Sequence, residues 1–298
     1  KNQLTVLYAD GGSLKSWFAL ALAVAALRNE PLVPAARWCV RQCLSVFYLD
    51  WETDQRTHQR RLWRLAKGLN IAPPTDITYR NLRGTPLHNA IDSVLGQATT
   101  RGSDLVIIDS LGMACGDEPE TAQANLRTLG ALSTLPGTKL VLAHVNAMTA
   151  TSPNGPGRPY GSVFIRNTAR SAIEARSEPE DGGALVTYHH RKANDAPLAK
   201  PMAIRFAFEG LTGPVTLYGA EPDLQHATVA DQILSSLTSG AKTVTALGEL
   251  LDVSESDIRV NLHRLEKRYK VTQLVTESGG RGKKSLWGLA DGNRYSEP

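Results

Sequence analysis

The chain has 298 residues, 42% of them hydrophobic and 21% charged, enough apolar material for a large core and too much for a disordered or fibrous polymer. No run approaches the roughly 18–20 consecutive apolar residues of a membrane helix. The three cysteines, Cys39, Cys43 and Cys115, lack the paired spacing of a disulfide framework or a zinc ribbon and read as reduced thiols of a cytoplasmic protein. The formal charge of +4 is concentrated, since residues 254 to 284 carry eight Lys/Arg against four Asp/Glu. A start at Lys1, directly before a strand, leads us to expect a fragment with an upstream segment or domain.

Gln3 to Tyr8 is a short β-branched run ending in Ala9-Asp10-Gly11-Gly12-Ser13-Leu14-Lys15-Ser16, and the apolar segment Trp17 to Arg28 after it is helical. Ser45 to Leu49 is a second buried strand, ending in Asp50-Trp51-Glu52, and a charged helix follows from His58 to Leu69. A third strand, Leu105 to Ile108, ends at Asp109, and a fourth, Lys139 to Ala143, ends at His144. Two more strands, Leu185 to His189 and Met202 to Phe208, close this part of the chain. Strands alternating with helices imply right-handed βαβ units and a mainly parallel sheet, whose ligands bind at the carboxyl ends of the strands. Each of the polar groups just named stands at such an end.

Thr149 to Tyr160 reads as a Pro/Gly/Ser-rich loop, and Gly210 to His226 as the exit from the domain. Beyond it, Thr228–Leu237, Val244–Leu251 and Ser254–Tyr269 have helical periodicity, and Val271–Thr276 and Ser285–Leu289 flank a glycine-rich turn. Three helices and a hairpin in that order predict a winged helix-turn-helix. The expected organisation is an α/β ATPase domain over 1–212, a linker over 213–227 and a winged helix over 228–298.

The loop at 9–16 has the context of a phosphate loop, between a strand and a helix, where backbone N–H groups from Asp10, Gly11, Gly12, Ser13 and Leu14 and the helix N-terminus attract an anion. Lys15 would meet the β- and γ-phosphates of ATP, and Ser16 would bind Mg²⁺. Ala9 and Leu14 stand where the usual pattern has glycine, and Leu14 places a side chain where backbone ordinarily approaches phosphate. Asp109, ending an apolar strand downstream, fits the acidic residue that holds Mg²⁺ through water. Glu52 is the candidate general base, with Asp50 as its competitor.

The ordered segments YADGGSLKS (8–16), VFYLDWETD (46–54), LVIIDSLG (105–112), VLAHV (141–145), YGSVFIRNTAR (160–170) and HHRKAND (189–195) resemble the RecA-like ATPases of plasmid RepA type, hexameric replication helicases with phage and mobile-element relatives. The resemblance covers residues 3 to 209. It implies that Glu52 is catalytic, that Asp109 is the Walker B residue, and that His144 senses the γ-phosphate. It also implies that Arg170 reaches a neighbouring subunit's site, with Lys192 near the intersubunit phosphates. Arg166 is a rival to Arg170, and Lys192 also fits a solvated basic edge beside His189, His190 and Arg191. The loop at 149–160 lies where such proteins carry a DNA-binding loop, although Arg158 and Tyr160 are its few suitable side chains.

In the C-terminal module Ile258, Leu262 and Leu265 share one helix face. That turns Arg259, His263, Arg264 and Lys267 outward, as a recognition helix requires, with Arg281, Lys283 and Lys284 on the wing. The expected protein is a homo-hexameric, DNA-dependent ATPase of a plasmid, phage or mobile element, a replicative helicase or helicase loader. It would take single-stranded DNA through its ring and duplex through its winged helix. An ATP-gated, non-enzymatic DNA-binding regulator and a recombinase-like filament former are the rival expectations.

Overall fold

A computed structural model describes residues 3–33, 45–116, 121–145, 159, 163–222, 228–267, 270–274 and 285–290. Among the readings above, Cys39, Cys43, Arg158, Tyr160, Arg281, Lys283 and Lys284 lie outside these residues. The chain divides into two compact units, Lys1–Pro222 and Asp223–Pro298.

In the first unit the elements run β1 (Leu4–Ala9), α1 (Lys15–Arg28), β2 (Val46–Asp50), α2 (Gln55–Gly68), β3 (Ile77–Asn81), α3 (Leu87–Thr100) and β4 (Leu105–Asp109). They continue with α4 (Leu111–Cys115), α5 (Ala122–Thr134), β5 (Thr138–His144), α6 (Val163–Thr168), β6 (Ser171–Glu180), β7 (Gly183–Ala193), β8 (Met202–Phe208) and β9 (Val215–Ala220). All nine strands form one sheet in the order β3-β2-β4-β5-β1-β6-β7-β8-β9. Pairings from β3 across to β6 are parallel, and those from β6 to β9 antiparallel. The mixed α/β architecture with a mostly parallel sheet is the expected one.

Because strand side chains alternate, each central strand feeds two cores. Leu7, Tyr48, Ile107 and Leu142 face α1, while Val6, Phe47, Ile108 and Val141 face α3 to α6. Helix α1 is apolar almost all round, as a helix enclosed on every side must be. Residues from β7, β8 and β9 join its core, among them Tyr188, Phe206 and Leu217. The far edge of the sheet reaches α2 as well, where Arg64 donates to the carbonyls of Gly210 and Gly213 at 2.7 and 2.6 Å.

Residues 215–220, read above as linker, therefore form β9. The turn signal at Gly210 to Pro214 is a hairpin connection between β8 and β9 and does not end the domain. The first unit reaches Pro222, ten residues beyond the expected boundary.

The second unit contains α7 (Val229–Leu237), β10 (Lys242–Thr243), α8 (Val244–Leu251), α9 (Glu255–Lys267), β11 (Val271–Leu274) and β12 (Leu286–Leu289). Its antiparallel sheet has the order β10-β12-β11. Ile233, Leu247, Ile258, Leu262, Leu265 and Trp287 make its core. Thr228, Thr243 and Ser254 cap its three helices, each side chain accepting from a backbone N–H three residues on.

Candidate functional site

Strands β1, β2, β4 and β5 deliver Ala9, Asp50, Asp109 and His144 to the same edge of the sheet, with Ala9 opposite His144 and Asp50 opposite Asp109. The loop after β1 turns sharply at Gly12, whose φ of 76° is costly for any residue with a Cβ. Ser13 ties the turn by donating to the Asp10 carbonyl at 2.6 Å. Lys15, the first residue of α1, folds back so that its ammonium donates to the carbonyls of Ala9 and Asp10 at 3.1 and 2.8 Å. Burial lowers its pKa, and Glu52, Asp109 and Asp10 pull it back up.

The two departures from the glycine pattern have physical accounts. Ala9 is the last residue of β1 and fully buried, in extended backbone that needs no glycine. Leu14 adopts φ 59°, a left-handed conformation that costs a residue with a Cβ about 1–2 kcal/mol. Its side chain packs against the α1 core, and that burial offsets the backbone cost. Leu14 is thus half-buried, with its side chain against the α1 core.

Asp109 is buried, accepts from the Tyr48 hydroxyl at 2.6 Å and is hydrogen-bonded by Ser16. Burial raises its pKa to about 6, against the pull of those two hydroxyls. Asp50 is held differently. Its carboxylate accepts from the backbone N–H groups of Glu52 and Thr53 at 2.8 and 2.9 Å and from the Thr53 hydroxyl at 2.5 Å. These bonds make Asp50 a latch on the segment that presents Glu52, and the Tyr79 hydroxyl of β3 donates to it as well, at 3.2 Å.

Glu52 is half-exposed, accepts from Ser110 Oγ at 2.5 Å and meets His144 Nε2 at 3.4 Å. The His144 and Ser110 hydrogen bonds hold its pKa down to about 2, so it is a carboxylate at any physiological pH. Tyr48 and Ser110 join the site although the sequence motifs do not single them out. Signals for both were present, since Ser110 directly follows Asp109 and Tyr48 shares a strand face with Asp50.

The residues fit ATP with Mg²⁺. The Lys15 ammonium rests on two carbonyl oxygens in the place where phosphate oxygens would take over, and Ser16 and Asp109 already bring a hydroxyl and a carboxylate together. Among the described residues no group of three or more His, Cys, Asp or Glu could hold a metal alone. That suits Mg²⁺, which takes one or two protein ligands beside phosphates. Bound Mg²⁺ would supply charge neutralisation at the phosphates, and Lys15 would add its own positive charge there.

Arg170 is elsewhere. Its backbone N–H donates to the Leu4 carbonyl at 2.9 Å, at the opposite end of β1 from the phosphate loop. Five strand residues separate these ends by roughly 16 Å, more than an arginine side chain reaches. Arg166 and Arg170 are exposed at this pole. Lys192 donates to the carbonyls of Arg166, Asn167 and Ala169 at 2.7, 3.0 and 2.6 Å, closing the C-terminal end of α6. In the second unit Arg259, His263, Arg264 and Lys267 are exposed on α9. Arg259 pairs with Glu255 at 2.6 Å, and His263 meets Glu266 at 3.3 Å and the Trp287 ring edge-on.

No curated protein matches the sequence. Residues 1–146, just under half of the chain, match the family described as AAA domain. The crystal structure of the RadB recombinase is similar in fold, with a TM-score of 0.51 and 16% identity over 74% of this chain and 91% of that one. A KaiC-like protein from the hyperthermophilic archaeon Pyrococcus horikoshii OT3 aligns with a TM-score of 0.48 and 14% identity over 73% of this chain and 90% of that one. The first unit thus has a fold similar to that of the RadB recombinase, and the stretch similar to the AAA domain family contains the phosphate loop and the strand-end carboxylates.

Proposed function

We propose that the protein is an oligomeric, DNA-dependent ATPase whose catalytic site is completed by a neighbouring copy, and that it works as a replicative helicase or helicase loader of a plasmid, phage or mobile element. The observation that carries the reading is the placement of Glu52. A carboxylate on a segment latched by Asp50, close to Lys15 and Asp109, is placed to polarise an attacking water as general base. A regulator that only bound nucleotide would have no use for it. His144, which touches Glu52 from the end of β5, is suited to relay the state of the γ-phosphate.

Arg170 lies too far from its own phosphate loop to serve it, which supports a role toward a second copy, with Arg166 beside it. Lys192 supports that pole by capping α6. In the second unit the order helix, strand, helix, helix, strand, strand supports a winged helix-turn-helix, with α9 as the helix that enters the major groove of duplex DNA.

Steady-state ATP hydrolysis with and without single-stranded DNA is the test. Turnover should rise with DNA, and Glu52→Gln should keep nucleotide affinity while losing about 10²–10⁴ in rate. Lys15→Ala and Arg170→Ala should each be inactive and recover activity on mixing, since mixed interfaces pair an intact loop with an intact arginine. Equal turnover with and without DNA would sink the proposal. DNA-stimulated turnover without strand separation would identify a recombinase-like filament former.

A further inference from the structure

Helix α2 carries Arg56, Arg60, Arg61, Arg64 and Lys67 and no acidic residue. These five cations divide by direction. Arg64 turns inward to the Gly210 and Gly213 carbonyls and lies 5.6 Å from the Trp17 ring centre, with Arg61 at 5.9 Å from the same ring. Arg56, Arg60 and Lys67 point to solvent, and among the described residues none of the three forms an ion pair. Trp63 stands on the same stripe and is 56% exposed. The intervals 56, 60, 63 and 67 are four, three and four residues, so the four side chains follow one face over about 16 Å. Asp54 at the N-cap is the acidic group at the head of this face, committed to the Thr57 N–H at 2.7 Å.

An exposed tryptophan between unpaired cations needs a reason, since Trp51, Tyr48 and Phe47 of this unit are fully buried and the helix itself buries Leu65 and Ala66. Lys67 Nζ sits 5.1 Å from the Trp63 ring centre, which leaves an indole face and an ammonium presented together. A flat apolar ring among fixed positive charges offers a single-stranded nucleic acid stacking for a base and neutralisation for its phosphates. An anionic membrane would demand a broad exposed apolar face, and within α2 Trp63 is the one large apolar side chain exposed.

We infer that the exposed face of α2, formed by Arg56, Arg60, Trp63 and Lys67, is a docking track for single-stranded nucleic acid, separate from the phosphate loop and from helix α9 of the second unit. At 3.4 Å or more between successive phosphates, the track holds at most about five nucleotides. It reads no sequence, because stacking accepts any base.

The test uses the full chain and a fluorescein-labelled oligo-dT of about 20 nucleotides, followed by anisotropy across a salt series. Trp63→Ala should weaken binding at least about fivefold, and Trp63→Phe should restore most of it. Arg56→Glu/Arg60→Glu should weaken binding more than about tenfold and reduce the salt slope by about 1.4, at 0.7 per lost phosphate contact. Duplex affinity and nucleotide affinity should stay within about twofold in all of these variants. Should charge reversal cost the fold, Arg56→Gln/Arg60→Gln replaces it and must still lose affinity and slope. Unchanged oligo-dT affinity and slope overturns the inference. So does a change of assembly mass in the Trp63→Ala protein, which would make this face an interface between copies. Loss of binding to phosphatidylserine vesicles in place of oligo-dT would likewise overturn it.

Discussion

His58 lies between two tyrosines, its ring centre 4.7 Å from that of Tyr48 and 4.3 Å from that of Tyr79. Burial lowers its pKa from 6.5 to about 4, with Asp50 opposing that shift and Arg61 adding to it. Between those two values the unfolded chain binds a proton that the folded chain refuses, so stability rises with pH through this window and is lost as pH falls from about 6.5 to about 4. The loss amounts to roughly 3 kcal/mol. His58→Phe keeps an aromatic ring against both tyrosines and removes the proton, so its urea midpoint should fall less steeply from pH 7 to pH 5 than that of the unsubstituted protein, while Asp109 and His190 still titrate. An equally steep acid loss in that variant would assign the effect to another group. At this scale the sequence was legible where chemistry is local: Lys15, Ser16, Asp109 and Glu52 converge as their strand-end positions imply. It was silent on the packing of Leu14, because a side chain's direction in a left-handed turn depends on a core assembled from distant strands. The division of labour between Asp50 and Glu52 was equally hidden, since only the folded loop shows which carboxylate faces its own backbone.

Helix α2 and strand β9 meet at Gly68, where an added Cβ would stand 2.0 Å from the Val215 carbonyl oxygen and 2.6 Å from its carbon. Glycine to alanine in a helix ordinarily stabilises by about 1 kcal/mol. Here the sign should reverse, because backbone cannot yield as a flexible side chain does. Gly68→Ala should destabilise the first unit by at least about 2 kcal/mol, read as a lower urea midpoint. A neutral or stabilising result would mean that β9 shifts freely. The same contact explains the hardest element to read. Val215–Ala220 follows a Gly-Pro signal that resembles an exit, and nothing local reveals that its partners are β8 and a helix some 150 residues earlier. Strands β3 and β6 were missed for a related reason: β3 is only half-buried, and β6 ends in an exposed polar stretch. Strands β2, β4 and β5 were plain because burial on both faces makes them continuously apolar.

At the scale of the molecule, the boundary after Pro222 gives two truncations with opposite outcomes. A chain ending at residue 222 keeps β9 and the Arg64 hydrogen bonds, and it should fold and bind nucleotide as the full chain does. Ending it at residue 212 removes β9 and uncovers the α1 core, and that protein should aggregate or bind no nucleotide. Circular dichroism and nucleotide titration of the two proteins check this, and two equally folded products would contradict it. The 222-residue protein should also lose most duplex affinity if α9 is the helix that enters the groove; retained affinity would reassign the second unit to binding another protein.

The covering of α1 by β7 to β9 also sets an order of events during synthesis. This helix leaves the ribosome well before the strands that enclose it, whose side chains arrive with Tyr188, Phe206 and Leu217. At 5–20 residues per second the interval is on the order of ten to forty seconds. Throughout it a fourteen-residue, largely apolar helix that starts at the loop after β1 has no complete cover. The nascent chain is thus a natural client for a chaperone that shields apolar segments, and its yield in cells should depend on that supply more than on the stability of the finished fold.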